Sequence, residues 1–354
     1  MFQCVIYDLS GKHSQTAWYR ELYRVGLRQF ENVIPAGTFP LFLLESRHLT
    51  ENRGFFNSLD NRKIDFGIIH ISDENYSGDL GAYFLDRCRV IFRSYYRPPG
   101  GIKDFLRLYS RSLREREIHR HHPKAPLDLL WRAFYRFRDL GPRFLFSQCF
   151  PRLPREKTIF TPIGYLDRVA GRIGSPESGR PVSERKYVWS FCGDSSKRDR
   201  GLMIKLFLDR FPGHLHQYSG WMPPGRVLSG EDYWNTLADS KFVPCPMGWV
   251  NLETMRLYEA LEAGAIPLLL ESHAGQPYDY FSGLFGPHPL PLFRDWTESV
   301  RFVEDTQSRG LEDLSLRIRE WYRRFKSGSK DNIQVRLRRC REQYSTVSSH
   351  EISL

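Results

Sequence analysis

Short, nearly uninterrupted apolar runs alternate with amphipathic stretches along most of the chain. In the first half the runs predict strands over residues 4–7, 39–44, 66–71, 89–93 and 158–163. Apolar positions recurring every three or four residues predict helices over 15–30, near 80–87, and through much of 102–146. Residues 171–185, GRIGSPESGRPVSER, are rich in Gly, Pro and Ser and read as a loop or linker. The alternation then restarts, with strands over 187–192, 215–218, 242–244 and 266–270 and helices over 201–211, 230–238 and 252–263. From residue 298 the pattern is one of successive charged amphipathic helices ending in a polar tail. Strands alternating with helices at this spacing predict mostly parallel sheets covered on both faces. The expected organisation is a first lobe over 1–170, a linker over 171–186, a second lobe over 187–330 and a C-terminal helix and tail over 331–354. Two Rossmann-like α/β lobes of this kind are expected to face an interdomain cleft where strand ends and helix N-termini converge.

Composition agrees with two globular lobes, since 354 residues suffice for two cores and the 41% hydrophobic and 26% charged fractions are ordinary. Charge changes the picture: 52 Lys and Arg against 41 Asp and Glu leave a formal +11, a field that attracts polyanions. The basic residues peak over 97–155, where Arg107, Arg111, Arg114, Arg116, Arg120, Arg132, Arg136 and Arg138 alternate with apolar and aromatic residues. That stretch reads either as amphipathic helix with solvated arginines or as a surface for an anionic partner, peripheral membrane association included. The six cysteines lie far apart, with no pairing that suggests zinc or a redox couple. The opening MFQCVIYDLSGK is strand-like rather than leader-like, and no run reaches about 18 apolar residues. As encoded, the chain is expected to be cytoplasmic or peripheral to a membrane, or in the Golgi lumen if an anchor has been trimmed away.

The densest chemistry lies in residues 242–270, FVPCPMGWVNLETMRLYEALEAGAIPLLL. A strand ends at a turn with Pro244, Pro246 and Gly248, a short loop crosses Trp249 to Asn251, and a helix begins near Leu252. Leu257, Ala260, Leu261 and Gly264 fall at i, i+3, i+4 and i+7 and form the face that packs on a sheet, with Gly264 as the C-terminal cap. Free N–H groups at the start of such a helix, with its positive dipole end, suit a diphosphate. Arg256 and Glu259 lie off the packed face. A guanidinium complements phosphate oxygens and a carboxylate accepts from both ribose hydroxyls, yet the same i, i+3 spacing also describes an ordinary surface ion pair.

This segment resembles the donor-binding signature of exostosin-like glycosyltransferases, and Glu259, Ala260, Gly264 and Pro267 match the spacing found in many enzymes of the two-lobed GT-B type. The runs FGIIHISDE, VIFRSYYRP, TIFTPIGY and YVWSFCGDSSKRDR resemble further pieces of the same family in the same order. The resemblance implies a GT-B fold and an inverting transfer from a nucleotide sugar, a UDP-sugar first, to a glycan, glycoprotein or glycolipid acceptor. It further implies that Glu259 holds the donor ribose and that the loop and helix start, including Gly248, Trp249, Asn251 and Thr254, face the diphosphate.

The run GDSSKRDR joins a strand to a helix, so Lys197, Arg198 or Arg200 could neutralise a departing diphosphate, Arg200 first. No two aspartates stand two apart as a manganese-binding loop requires, so no metal or other cofactor is expected. An inverting transfer needs a general base, and Asp73, then Glu74, then His70 are the candidates at the end of the strand over 66–71. Asp73 could equally cap the next element. His119, His121 and His122 fall among arginines and read as an exposed basic segment, and no GxSxG serine-hydrolase pattern occurs. Trp189, Trp221, Trp234 and Trp249 could stack on sugar rings, though most tryptophans at such positions fill cores, and Trp249, inside the donor loop, is the exception. The alternative to an enzyme is a non-catalytic binding protein, either a degenerate transferase or a basic nucleic-acid module, but recognition motifs for nucleic acid are absent and none is expected as a partner.

Overall fold

The computed structural model describes residues 3–9, 14–72, 81–96, 154, 156–196, 199–220, 222–248, 251–273, 276–277, 280–344 and 352–353. The chain forms two compact units, one of Met1–Gly11, Val25–Thr161 and Ile333–Leu354, the other of Lys12–Arg24 and Pro162–Asn332. Along the chain β1 (Gln3–Asp8) is followed by α1 (Thr16–Tyr23), β2 (Leu27–Gln29), β3 (Val33–Ile34) and β4 (Thr38–Glu45). Next come α2 (Ser46–Glu51), α3 (Arg53–Asn61), β5 (Phe66–Ile71), β6 (Cys88–Arg93) and β7 (Thr158–Phe160). The expected helix over 15–30 stops at Tyr23, because Arg24 turns left-handed at φ 53°, and Leu27–Gln29 then joins a sheet edge. Near 80–87 only a single 3-10 turn forms, at Gly81–Phe84. The expected helices over 102–146, and the basic stretch over 97–155 apart from Pro154, lie outside the described residues.

In the first unit six strands pair in parallel in the order β2-β1-β4-β5-β6-β7. The run Phe39 to Leu44 is buried throughout, as expected of a strand covered on both faces. Gly67 is required by crowding, since a Cβ there would lie 2.5 Å from Leu41 and 2.8 Å from Val90. One face carries a phenylalanine cluster in which Phe42 meets Phe30, Phe55 and Phe56 edge-on.

The second unit holds α4 (Asp167–Ala170), β8 (Tyr187–Asp194), α5 (Arg200–Leu208), β9 (Gly213–Tyr218), α6 (Gly230–Ala238) and β10 (Ser240–Pro244). These are followed by α7 (Met255–Glu262), β11 (Ile266–Leu270), the short pair β12 (Ser272–His273) and β13 (Gln276–Pro277), α8 (Tyr280–Phe285), β14 (Leu292–Phe293), α9 (Trp296–Ser308) and α10 (Leu311–Tyr344), whose residues from Ile333 onward count with the first unit. A two-residue strand, β15 (Ile352–Ser353), pairs with β3 in the first unit. Five strands form a second parallel sheet in the order β14-β11-β10-β8-β9. Two α/β units, each on a parallel sheet, agree with the two-lobed Rossmann-like architecture of the GT-B type.

The N-terminal helix belongs to the second unit for local reasons. Its amphipathic face buries Trp18, Tyr19, Leu22 and Tyr23, Trp18 Nε1 donates to Pro162 O at 3.1 Å, and Ala17 N donates to Asp167 at 2.7 Å. The Gly, Pro and Ser-rich stretch after Ala170 is mostly exposed, carries 3-10 turns at Pro176–Gly179 and Val182–Glu184, and is anchored at two buried positions. Val182 is fully buried, and Arg185 donates to Ser240 O at 3.0 Å and Ala263 O at 2.9 Å. Among the described residues no helix is long and apolar enough to cross a membrane.

Candidate functional site

The site is built on the strand-loop-helix unit β10–α7 of the second unit. After β10, Cys245 N stays bonded to Leu268 O at 2.9 Å, and Gly248 N closes a turn onto Asn251 O at 2.9 Å. Asn251 is buried and its Oδ1 accepts from Glu253 N at 2.9 Å, an Asx turn that aims the chain into the helix. Thr254, in extended conformation at φ −135°, starts α7 without a side-chain cap, and its hydroxyl makes no hydrogen bond. Leu257 N turns back onto Thr254 O at 3.1 Å, and the amides of Met255 and Arg256 ahead of it receive no capping oxygen from the Thr254 side chain. At the other end Gly264, at φ 70°, closes α7 as the sequence predicts, with Ala265 N bonded to Ala260 O at 2.9 Å.

Glu259 is 1% exposed. Its Oε2 accepts from the Tyr233 hydroxyl at 2.6 Å and lies 3.7 Å from an Arg168 nitrogen, while Oε1 faces Leu166 N at 3.4 Å. One oxygen is firmly held and the other only loosely, so acceptor capacity remains at Oε1. The guanidinium of Arg168 stacks on the Tyr233 ring at 3.8 Å. Burial, and then the neighbouring Glu259, push the Tyr233 hydroxyl well above its ordinary pKa. Burial depresses Arg168, but Tyr233 and Glu259 outweigh it and the net shift is upward, so the cation is secure.

Arg256 donates to Cys192 O at 2.7 Å and stacks on Phe191 at 4.4 Å. It does not pair with Glu259. Its guanidinium lies along Gly193, where a Cβ would come within 2.5 Å of it, so the glycine at the end of β8 makes room for the arginine. Arg200 is 6% exposed and braces two loops, donating to Asp194 O at 2.9 Å and Met247 O at 2.8 Å. Asp194 in turn accepts from Ser196 N at 2.9 Å and Ser196 Oγ at 2.6 Å, which orders the start of the loop after β8. The structure thus brings Glu259, Arg256, Arg200, Gly248, Asn251 and Thr254 into one region. Lys197, Arg198 and Trp249 lie outside the described residues.

In the first unit His70, one residue before the end of β5, lies in a buried network. Its Nε2 meets Ser46 Oγ at 2.9 Å and its Nδ1 meets the Tyr83 hydroxyl at 2.6 Å and Arg93 at 3.2 Å. Arg93 can only donate, so Nδ1 is the accepting nitrogen and the ring proton sits on Nε2. Burial, and then Arg93, hold His70 well below its ordinary pKa, a neutral imidazole engaged on both sides. Asp73 and Glu74 lie outside the described residues. Among the described residues no group of three or more His, Cys, Asp or Glu is arranged to hold a metal.

Two residues of the site escape a reading of the sequence. Arg168 lies far from Glu259 along the chain, and no local signal announces the contact. Glu253 precedes the helix by two residues, where an acid ordinarily answers the helix dipole; instead it is 1% exposed. It accepts from Ile163 N at 2.9 Å, from the Tyr280 hydroxyl at 2.5 Å and from the Tyr258 hydroxyl. Burial outweighs these donors and pushes its carboxyl up to about 7.

Comparison with known proteins places likeness over this same unit. Residues 175–339 match the family described as RXYLT1 C-terminal domain. Ribitol-5-phosphate xylosyltransferase 1 of Danio rerio is 25% identical over 165 residues, 42% of this chain and 37% of the relative. The protein of the same name from Mus musculus is 26% identical over 164 residues, 42% of this chain and 36% of the relative. The matched region thus spans little more than a third of the relatives' own length, and the similarity supports a glycosyltransferase relationship for it.

Proposed function

We propose that this chain is an inverting, metal-independent glycosyltransferase of exostosin-like GT-B type that takes its sugar from a nucleotide-sugar donor bound at the β10–α7 site. The observation that carries this reading is Glu259, a buried carboxylate with one oxygen loosely held, lying behind an uncapped helix start and flanked by Arg168 and Arg256. In this reading Glu259 accepts hydrogen bonds from the ribose hydroxyls. The first amides of α7, with Gly248, Trp249, Asn251 and Thr254, receive the diphosphate, and Arg256, Arg200, Lys197 and Arg198 offset its charge. As the bond to the departing diphosphate breaks, these groups stabilise the growing negative charge. The general base that takes the acceptor proton is proposed as Asp73, with Glu74 next, and the His70 network as the support for the strand end they follow. The relatives' names point to xylose as the sugar and a polyol phosphate as the acceptor class, which with the UDP-sugar expectation makes UDP-xylose the first donor to try. The test is UDP affinity by calorimetry. Glu259→Ala is expected to weaken UDP at least about tenfold, the loss of one or two hydrogen bonds to a charged acceptor, and unchanged affinity refutes the site.

A further inference from the structure

The nucleotide reading leaves unused the other buried carboxylate of the same loop. Both oxygens of Glu253 are occupied, and all its donors come from different stretches: Ile163 ahead of α4, Tyr258 on α7 and Tyr280 on α8. Among the described residues the titratable groups against it are these two tyrosines, and no cation faces it. Burying a carboxylate with no cation is costly, and a side chain that merely filled the space could be apolar at lower cost.

What the carboxylate does is tie two functional stretches together. On one side the backbone N–H of the same residue donates to Asn251 Oδ1, and Asn251 O accepts from Gly248 N, so the position of Glu253 is coupled to the turn ahead of α7. On the other side it holds the amide of Ile163, at the head of the stretch that places Leu166 N and Arg168 against Glu259. That stretch is tightly turned: Gly164 adopts φ 72° against Trp18, where a Cβ would come within 2.2 Å of the indole. A change at Glu253 therefore displaces the diphosphate turn at one end and the partners of Glu259 at the other.

We propose that Glu253 is a positioning residue for the nucleotide, a buried clasp that holds the turn before α7 and the Ile163-to-Arg168 stretch in binding register. The role rests on the nucleotide-sugar reading of the site. The distinguishing variant is Glu253→Leu, which keeps the volume and the packing but removes the hydrogen-bond acceptor. UDP affinity, thermal unfolding and amide exchange over residues 246–257 are measured on the full chain, beside Glu253→Gln, whose amide oxygen can still accept from Ile163. The expected result is a loss of about tenfold or more in UDP affinity for Glu253→Leu, with faster exchange in the loop and a lower but still cooperative unfolding midpoint from the buried donors left unpaired, and recovery of most of the affinity in Glu253→Gln. Wild-type affinity and wild-type exchange in Glu253→Leu overturn the proposal. Should Glu253→Leu not fold, Glu253→Asp, one methylene too short to reach both tyrosines, carries the same expectation and the same refutation. If the wild-type chain binds neither UDP nor another nucleoside diphosphate, the nucleotide reading fails and the role fails with it; the exchange data still report whether Glu253 fixes the loop.

Discussion

Two carboxylates six positions apart behave differently because of what surrounds them. Glu259 has Arg168 within 3.7 Å, whereas Glu253 is held by tyrosines and an amide alone. The second arrangement makes stability depend on pH. A glutamate in the unfolded chain titrates near 4.5 and the buried one near 7. The folded state therefore binds the extra proton between those values, and the stability this confers is complete below about 4.5 and lost as pH rises through 7. The full swing is about 3 kcal/mol. Glu253→Gln carries no titrating proton, so its unfolding midpoint relative to wild type should climb between pH 5 and pH 8; thermal melts that stay parallel over this range would refute the assignment. At this scale the sequence was informative where chemistry is local. The Gly264 cap follows from helical spacing, whereas spacing sets Arg256 and Glu259 only off the packed face, and their donor-site role is what the family resemblance implies. The expected alternative, a surface pair between Arg256 and Glu259, does not form, because each is drawn to a different partner across the fold. Arg168 and Glu253 stayed hidden, since their partners are set by tertiary contact; the Glu259 contact with Leu166 spans 93 residues.

Elements were legible in proportion to their burial. Strands buried on both faces, such as β4, β5 and β11, announce themselves as continuous apolar runs, and their bounds fall within a residue or so of the expected ones. Helix ends were less legible. Nothing apolar separates Tyr23 from Val25, yet the left-handed turn at Arg24 ends α1. α2 and α3 went unread because each exposes most of its polar surface and buries only Leu49, Phe56 and Leu59 among its apolar residues. α10 runs unbroken for 34 residues where successive helices were expected, and part of what holds it is a charge network. Lys326 lies 2.7 Å from Glu262 and 3.1 Å from Glu21, and Tyr322 donates to Glu262 at 2.9 Å. Lys326→Met leaves the buried Glu262 without its cation and should cost about 3 kcal/mol or more in denaturant unfolding. Adding Glu262→Gln should return most of that loss. Strict additivity of the two changes would show that the pair is not coupled.

At the scale of the molecule, the linear reading put a boundary in the Gly, Pro and Ser-rich stretch at 171–186, the place where composition changes most. The compact units divide differently, because the second recruits Lys12–Arg24 and begins at Pro162. Composition cannot show that an N-terminal helix packs with residues far along the chain. The consequence concerns the region that resembles known transferases, residues 175–339. Cut out alone, it lacks Ile163, Leu166 and Arg168, which face both buried glutamates, and it lacks the helix carrying Trp18, Tyr19, Leu22 and Tyr23, all at most 2% exposed. Each of those four side chains contributes on the order of 1.5–3 kcal/mol through burial, and together they rival the whole stability of a typical domain. A fragment of residues 175–339 is therefore expected to show no cooperative thermal transition and no UDP binding. Residues 162–332 preceded by 12–24 through a flexible Gly-Ser linker should recover a cooperative transition, because the helix and the Ile163-to-Arg168 stretch return together. A sharp melt from the 175–339 fragment would mean that α1 is a passenger on a core that is complete without it.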